Sequence, residues 1–261
     1  MRRLKCLLAF GIAVAGPVSA QDPIGGPDWN LNVRPDISST TASVALGSNL
    51  IAVRCREGSF DVLFGGFPTT QAPTQTVTLS LGPIVGEEQT WIAIPGTPFL
   101  AARSARLARI MRAGGLLTLT FPASASSGSD AASSGQTYHL DLPPSAASLD
   151  QVLTACSIER TTAFDSLPHL SGPLTWRRQP SPEYPSRALS IGAEATVEVV
   201  CGVERSGRTN NCRVASSTRP GLGFESAAQR AGAGAQLDLP VDTDTEGRVV
   251  QFEIRFNLPS R

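Results

Sequence analysis

Four cysteines carry the most definite chemistry in this sequence, because their number and spacing restrict what they can do. They are Cys55, Cys156, Cys201 and Cys212, and a fifth, Cys6, lies in the N-terminal segment. None of the four has C-x-x-C spacing, so a zinc site or a dithiol redox site is disfavoured. An even number of cysteines in an exported chain is typical of disulfides, and four cysteines allow three pairings. We therefore predict two disulfides.

The sequence offers little that would support catalysis. His139 and Asp141 share one face of a predicted strand, but no serine nucleophile with an orienting group can be identified beside them. Glu87 and Glu88 are adjacent, and neighbouring side chains on a strand point to opposite faces. Neither G-x-S-x-G nor H-E-x-x-H occurs, and Lys5 is the only lysine, which excludes P-loop and Schiff-base chemistry from the rest of the chain. We predict a protein that is not an enzyme and holds neither cofactor nor metal.

The first 20 residues have the pattern of a secretory signal peptide. Arg2, Arg3 and Lys5 precede an apolar stretch at residues 7–18, and Ala20 ends a small-residue cleavage pattern. The stretch is shorter than the roughly 20 residues that span a bilayer. We predict cleavage after Ala20, a mature protein in the periplasm and no integral membrane span; an uncleaved inner-membrane anchor is the alternative. Without the three signal cations, 19 arginines stand against 22 acids, which gives no reason to expect a nucleic-acid partner.

Composition and periodicity divide the remaining chain into four segments. Residues 21–41 are predicted to be an extended lead-in, 42–157 an N-terminal α+β domain of unknown function, 158–173 a linker, and 174–261 a second α+β domain. In the N-terminal domain, apolar residues predict strands at 43–47, 49–55, 59–65, 75–82, 89–94, 116–121 and 136–142. A Ser/Ala/Gly-rich loop separates the last two strands. Each domain is predicted to contain an antiparallel sheet with two helices.

Two helices are predicted in the N-terminal domain, the second at residues 145–156. The first takes Thr97 as its N-cap and Pro98 as its first residue, and it ends at the glycines at 114–115. Four arginines recur at every third position of this helix: Arg103, Arg106, Arg109 and Arg112. Such a row is either a basic surface for an acidic partner or a solvent-exposed helix face. We favour the solvent-exposed face.

The second domain has the element order helix (185–190), strand (194–203), strand (208–216), helix (223–232) and strand (248–258). If Ser206 and Gly207 form a two-residue hairpin loop, Cys201 lies directly opposite Cys212. A three-residue loop with a bulge would shift the register by one residue and turn the two thiols to opposite faces. The apolar residues of both strands share one face only in the first register. The sequence therefore favours a Cys201–Cys212 bridge, which leaves Cys55 to pair with Cys156.

This second domain resembles the C-terminal domain of TonB-type proteins. The resemblance rests on "PEYPSRA" at residues 182–188, a Ser-Gly turn after a hydrophobic strand, the helix "FESAAQRA" and the final strand "VVQFEIRFNL", and it covers about residues 174–258. It implies a three-stranded antiparallel sheet with two helices on one face. The chain departs from full-length transducers of this family, because it has no His in its N-terminal apolar stretch and no long Pro-rich spacer. The N-terminal domain resembles small uncharacterised periplasmic domains only loosely.

The resemblance also implies a partner, since outer-membrane receptors present a short peptide that adds to the edge of the sheet by β-augmentation. The final strand is the candidate edge, and the stiff Pro-rich approach to the first helix would lie beside it; Tyr184 packing over the sheet is the alternative. The predicted partner-binding residues are Gln179, Tyr184, Val249, Gln251, Glu253 and Arg255. We predict a periplasmic TonB-like protein that binds a partner peptide in outer-membrane transport or envelope assembly. The alternative is an exported envelope hydrolase that uses the TonB-like domain for targeting.

Overall fold

The computed structural model of the chain describes residues 28–69, 72–123, 135–170 and 174–258. The predicted signal peptide, the first part of the lead-in, most of the Ser/Ala/Gly loop and the last three residues of the linker lie outside the described residues. Within these ranges, no helix combines the length and the hydropathy needed to cross a bilayer.

Nine antiparallel strands form the larger sheet. They are β1 (Asn30–Arg34), β2 (Ser39–Leu46), β3 (Asn49–Arg56), β4 (Ser59–Gly65), β5 (Thr74–Leu81), β6 (Ile84–Ala93), β7 (Phe99–Ala102), β8 (Gly115–Phe121) and β9 (Gln136–Leu142). Their order across the sheet is β1-β2-β3-β4-β7-β6-β5-β8-β9. Two helices, α1 (Ala105–Met111) and α2 (Ala146–Ala155), pack their apolar residues with those of the sheet into one hydrophobic core.

The larger sheet departs from the predicted elements in two places. It begins at Asn30, because β1 and the start of β2 occupy residues predicted to be a lead-in. Residues 99–102, predicted to be helical, form β7, which pairs with β4 on one side and with the end of β6 on the other. The helix begins only at Ala105, where the Ser104 hydroxyl accepts a hydrogen bond from the Leu107 N–H at 3.2 Å. Strand pairing on both sides of residues 99–102 outweighs the local N-cap pattern at Thr97.

The C-terminal part contains three further strands in a second antiparallel sheet and a small two-stranded pair. In chain order its elements are β10 (Trp176–Arg178), α3 (Ser186–Ser190), β11 (Ala195–Val203), β12 (Thr209–Ser217), α4 (Phe224–Ala233), β13 (Gln236–Leu237) and β14 (Val249–Phe256). The order in this C-terminal sheet is β12-β11-β14, and β10 pairs with β13. A separate core lies between the sheet and α4. The predicted α+β class with antiparallel sheets, including the three-stranded C-terminal sheet, is confirmed.

Both predicted disulfides are present, Cys55–Cys156 and Cys201–Cys212. The hairpin that carries the second one has a three-residue loop, because the Glu204 N–H donates to the Arg208 carbonyl at 2.9 Å. The predicted two-residue loop is therefore wrong. A bulge near Asn211, whose φ is 47°, shifts the register by one residue and brings the two thiols back to one face.

Candidate partner-binding edge of the C-terminal sheet

Strand β14 is an edge of the C-terminal sheet, because β11 occupies the centre and pairs with both neighbours. Eight consecutive residue pairs join β14 to β11, from Gly202 opposite Val249 to Ala195 opposite Phe256, without a register shift. A regular edge strand of this length presents a straight row of backbone groups to its outer side.

The register identifies which backbone groups point outward. The Val203 N–H donates to the Arg248 carbonyl at 3.2 Å, which fixes the alternation of hydrogen-bonded pairs along β14. The N–H and C=O groups of Gln251, Glu253 and Arg255 therefore point away from β11. They have no backbone hydrogen-bond partner among the described residues. We call these six groups the outer rim of β14.

The start of this edge is already occupied by the protein's own backbone. The Val249 N–H donates to the Pro168 carbonyl at 3.0 Å, and the Leu170 N–H donates to the Val249 carbonyl at 2.9 Å. His169 accordingly forms an isolated parallel bridge with Val249. Residues 158–170, which we call the connecting segment, thus close the rim at Val249, so this predicted partner-binding residue is engaged within the chain.

The opposite edge, β12, is protected in ways that β14 is not. Its pairing with β11 shifts register twice. The Thr209 N–H donates to the Ala235 carbonyl at 3.2 Å, and the Cys212 carbonyl accepts from the Gln229 side chain at 2.7 Å. Bulges and covering side chains hinder the addition of another strand.

The two residues predicted upstream of the sheet differ in their placement. Gln179 is exposed, between β10 and α3. Tyr184 packs its ring edgewise against Phe224 and Phe256, and its hydroxyl donates to the Ala193 carbonyl at 2.6 Å. Tyr184 therefore belongs to the core on the α4 side of the sheet, the alternative considered for this residue, and the rim consists of residues of β14.

The face of the C-terminal sheet opposite α4 packs against α1, and Glu198 is buried there. Its carboxylate accepts hydrogen bonds from the Ser216 hydroxyl at 3.1 Å and from the side-chain amide of Gln251. Burial raises the pKa of Glu198 to about 7, although the Ser216 hydrogen bond and the charge of Arg109 act to lower it; the charge of Glu253 raises it further. A side-chain hydrogen bond thereby joins the rim residue Gln251 to the buried carboxylate of Glu198.

Two arginines of α1 hold the connecting segment in place. Arg106 donates from Nε to the Asp165 carbonyl at 3.1 Å, from Nη2 to the Leu167 carbonyl at 3.2 Å and from Nη1 to the Glu87 carboxylate at 2.8 Å. Arg109 donates from Nε and Nη2 to the Asp165 carboxylate at 2.7–2.9 Å. Charge-assisted, bidentate hydrogen bonds of this kind are among the strongest in proteins and fix geometry closely.

The prediction that the arginine row is exposed to solvent is therefore wrong for its two middle residues, Arg106 and Arg109. Arg106 is 3% and Arg109 5% exposed, because the connecting segment and the C-terminal sheet cover α1. Arg103 remains 42% exposed at its side chain, 3.8 Å from Asp61 and 4.0 Å from Glu253. The acidic residues that pair with these arginines belong to the same chain. The spacing of the arginines does not predict these pairs.

The described residues contain no group of three or more His, Cys, Asp and Glu side chains suited to a metal ion. His139 lies exposed on β9, with its ring nitrogen 3.2 Å from the Thr118 hydroxyl. No described contact joins it to a serine nucleophile.

The comparison with known families agrees with this geometry. Residues 180–258 match the family described as Gram-negative bacterial TonB protein C-terminal. No curated protein matches the chain. The family comprises periplasmic, non-enzymatic domains that bind proteins such as outer-membrane receptors, and the two disulfides fit an oxidising, exported location. The chain therefore carries, in residues 180–258, a domain of the TonB C-terminal family.

Proposed function

We propose that this protein is a periplasmic binding protein whose C-terminal sheet takes up a strand from a partner of the cell envelope, in outer-membrane transport or envelope assembly. The incoming strand pairs with the outer rim of β14. The observation that carries the proposal is the row of outward N–H and C=O groups at Gln251, Glu253 and Arg255, which have no backbone partner among the described residues. An added strand satisfies these groups by β-augmentation.

The comparison of the two edges supports β14 over β12. β14 is regular along its length, whereas β12 has two register shifts and a side chain of α4 bonded to its outer carbonyl. The connecting segment limits the site at Val249. The partner strand therefore pairs with residues 251 to 255 of β14. It can extend beyond the C-terminal end of β14 but not beyond its N-terminal end.

The test is photo-crosslinking in the host's cells from position 255, because the Arg255 side chain is 60% exposed and lies beside the rim. A photoreactive residue at position 213, exposed on the opposite edge strand, serves as the control. We expect a crosslinked envelope protein from position 255 and not from position 213.

A proline variant examines the backbone directly. Glu253→Pro removes an N–H of the rim and leaves the hydrogen bonds to β11 in place, since this N–H points outward. It is expected to abolish the crosslink from position 255, whereas Ser217→Pro on β12 leaves the crosslink intact. A crosslink that survives Glu253→Pro would contradict strand addition at this edge.

A further inference from the structure

A groove of about 610 Å³ lies beside β12, between α4 and the connecting segment. Residues 161–164 of the connecting segment form one wall, Glu225 and Gln229 of α4 form the other, and Val200 and residues 213–215 lie between them. We call it the β12 groove. Its volume is within the roughly 300–1,000 Å³ that is usual for ligand pockets. The outer rim of β14 is at the opposite edge of the same sheet.

The side chain of Arg109 reaches this groove with an unpaired donor. Its Nε and Nη2 donate to the Asp165 carboxylate, whereas Nη1 is buried and has no hydrogen-bond partner among the described residues. Asp165 does not line the groove, so the side of the guanidinium that faces the groove is the side that carries Nη1. A buried donor without an acceptor raises the free energy of the unliganded protein. A ligand that brings an acceptor to Nη1 removes this penalty.

The charges around the groove favour a neutral acceptor. The charge of Arg109 is already balanced by Asp165. The other cation in the lining, Arg213, is exposed and shares the groove with Glu159 and Glu225. The groove therefore has no excess of positive charge that would attract a carboxylate or a phosphate. The oxygen of a neutral amide is an acceptor that carries no charge, and it suits a single N–H donor.

The middle of the groove is apolar and includes an aromatic ring. Phe164 is half-buried and Val200 is buried, yet neither belongs to one of the hydrophobic cores. An aromatic ring offers a large, rigid apolar surface. At the border, Glu159, Thr161 and Glu225 carry oxygen atoms that can accept hydrogen bonds from hydroxyl groups. A sugar ring fits this combination, because its faces carry C–H groups and its edge carries hydroxyl groups.

A peptide strand suits the groove less well. The pairing of β12 with β11 shifts register twice, and the Cys212 carbonyl already accepts a hydrogen bond from Gln229. Such an edge does not offer the regular row of backbone groups that an added strand needs.

We propose that the β12 groove binds an N-acetylated amino sugar. The sugar ring lies against Phe164, the acetamido oxygen accepts a hydrogen bond from Arg109 Nη1, and the ring hydroxyls meet Thr161 and the acidic residues at the border. This site and the outer rim of β14 are at different edges of the sheet. The inference therefore does not depend on the proposed strand addition.

The test uses the full chain with its disulfides intact, labelled with ¹⁵N, and three neutral probes. Diacetylchitobiose carries an acetamido group on each ring, cellobiose has the same linkage with hydroxyl groups in their place, and an acetylated dialanine methylamide has amide carbonyls without a sugar ring. We expect diacetylchitobiose to shift the amide signals of Phe164, Val200 and Val214 and the guanidinium signal of Arg109. Cellobiose should bind about tenfold more weakly, as for the loss of a hydrogen bond to a charged group, and the peptide should bind no better than cellobiose.

Two variants examine the groove while Arg109 and its ion pair stay in place. Ala163→Trp puts a bulky side chain at an exposed position of the wall and should abolish binding, whereas Ala147→Trp, at an exposed position of α2, should leave it unchanged. Phe164→Leu keeps an apolar side chain without the ring and should weaken binding about threefold or more.

Equal affinity for the two disaccharides would overturn the inference, because the acetamido group would then make no contact with Arg109. Peptide binding as tight as that of diacetylchitobiose would identify a peptide as the occupant and would overturn it as well. So would the absence of shifts at millimolar diacetylchitobiose, or binding that survives Ala163→Trp. Each of these results leaves the proposed strand addition at β14 standing.

Discussion

Asp165 of the connecting segment and Arg109 of α1 form a nearly buried, bidentate ion pair with 2.7 Å between Oδ1 and Nη2. The same carboxylate accepts hydrogen bonds from the backbone and the hydroxyl of Thr162, each at 3.0 Å. One carboxylate thus folds the connecting segment locally and joins it to the helix of the larger sheet.

Removal of this carboxylate is expected to be costly, because it leaves the Arg109 guanidinium, 2% exposed at its side chain, without its partner. We expect Asp165→Asn to lower the free energy of unfolding by about 3–5 kcal/mol. Denaturant unfolding with disulfides intact, followed by tryptophan fluorescence, measures the change. Arg205→Ala, which breaks a solvent-exposed contact with Glu246 at 3.7 Å, is the control and should leave stability unchanged. Equal stability of Asp165→Asn and wild type would contradict the structural role of the pair.

Arg106 is expected to control the closed end of the rim. Arg106→Met removes the hydrogen bonds to the Asp165 and Leu167 carbonyls, so residues 168–170 should separate from Val249 more often. Hydrogen exchange at the Leu170 and Val249 amides should accelerate roughly ten- to hundredfold, as expected for lost hydrogen bonds from a charged group.

The Val250 amide is an internal reference for this hydrogen-exchange experiment. The Val250 amide points to β11 and should remain protected in the same variant. Arg103→Met is the matched control, because Arg103 is 42% exposed and makes no hydrogen bond to the connecting segment. Uniform acceleration across β14 in Arg106→Met would indicate global destabilisation and would contradict a local effect.

Glu198 is expected to make stability fall as the pH rises. Its folded-state pKa is about 7, against an ordinary value of 4.5, because burial disfavours the carboxylate. Between these two values the folded protein binds more protons than the unfolded chain, so the free energy of unfolding decreases with pH across this window. The cost is fully present above about pH 7 and absent below the unfolded value. Glu198→Gln should therefore gain on the order of 3 kcal/mol over wild type at about pH 8 and nothing at about pH 4.

Denaturant unfolding of both proteins across that pH range measures the difference. The acid Glu253 and the base Arg109 face Glu198 and are retained in both proteins, so their contributions cancel in first approximation. A stability difference that does not change with pH would show that Glu198 is not the titrating group.

The two disulfides should differ in their contribution to stability. Cys55 and Cys156 close a loop of 101 residues, and Cys201 and Cys212 a loop of 11. The chain-entropy relation predicts losses of about 5 kcal/mol and about 3 kcal/mol when each pair is replaced by serine. Thermal and denaturant unfolding of the two double variants provide the comparison. A larger loss for the short loop would mean that packing around the thiols, and not loop closure, dominates.

The elements of the C-terminal sheet could be predicted within about two residues, because alternation and turn residues are local signals. The Cys201–Cys212 bridge was predicted from a loop of the wrong length, and the compensating bulge at Asn211 has no strong sequence signature. β1 and β7 were not predicted. β1 is almost entirely exposed, so it lacks the alternation of buried and exposed residues that indicates a strand. β7 has only four residues and pairs with β4, which is not adjacent to it in the sequence.

The candidate site was predictable only in part. The final strand was assigned as an edge from the resemblance, and the structure places Gln251, Glu253 and Arg255 on that edge. The closure at Val249 and the burial of Arg106 depend on residues 158–170, whose sequence shows no periodicity and was assigned to a linker. No local pattern reveals that a segment without periodicity will be fixed by two arginines about 60 residues earlier in the chain.

The hydrogen bonds between Val249 and residues 168 and 170 have a practical consequence for excised fragments. A fragment that begins at residue 174 would retain the whole family match and both cysteines of the hairpin. It would also lose the backbone that closes the rim and the helix that covers Glu198 and Val200. In such a fragment the free edge of β14 would be longer, because Val249 would be unpaired. The sheet face that carries Glu198 would be exposed to water, whereas α1 covers it in the intact protein. Peptide binding measured on such a fragment would therefore test the proposed strand addition at an edge that differs from the edge of the intact protein.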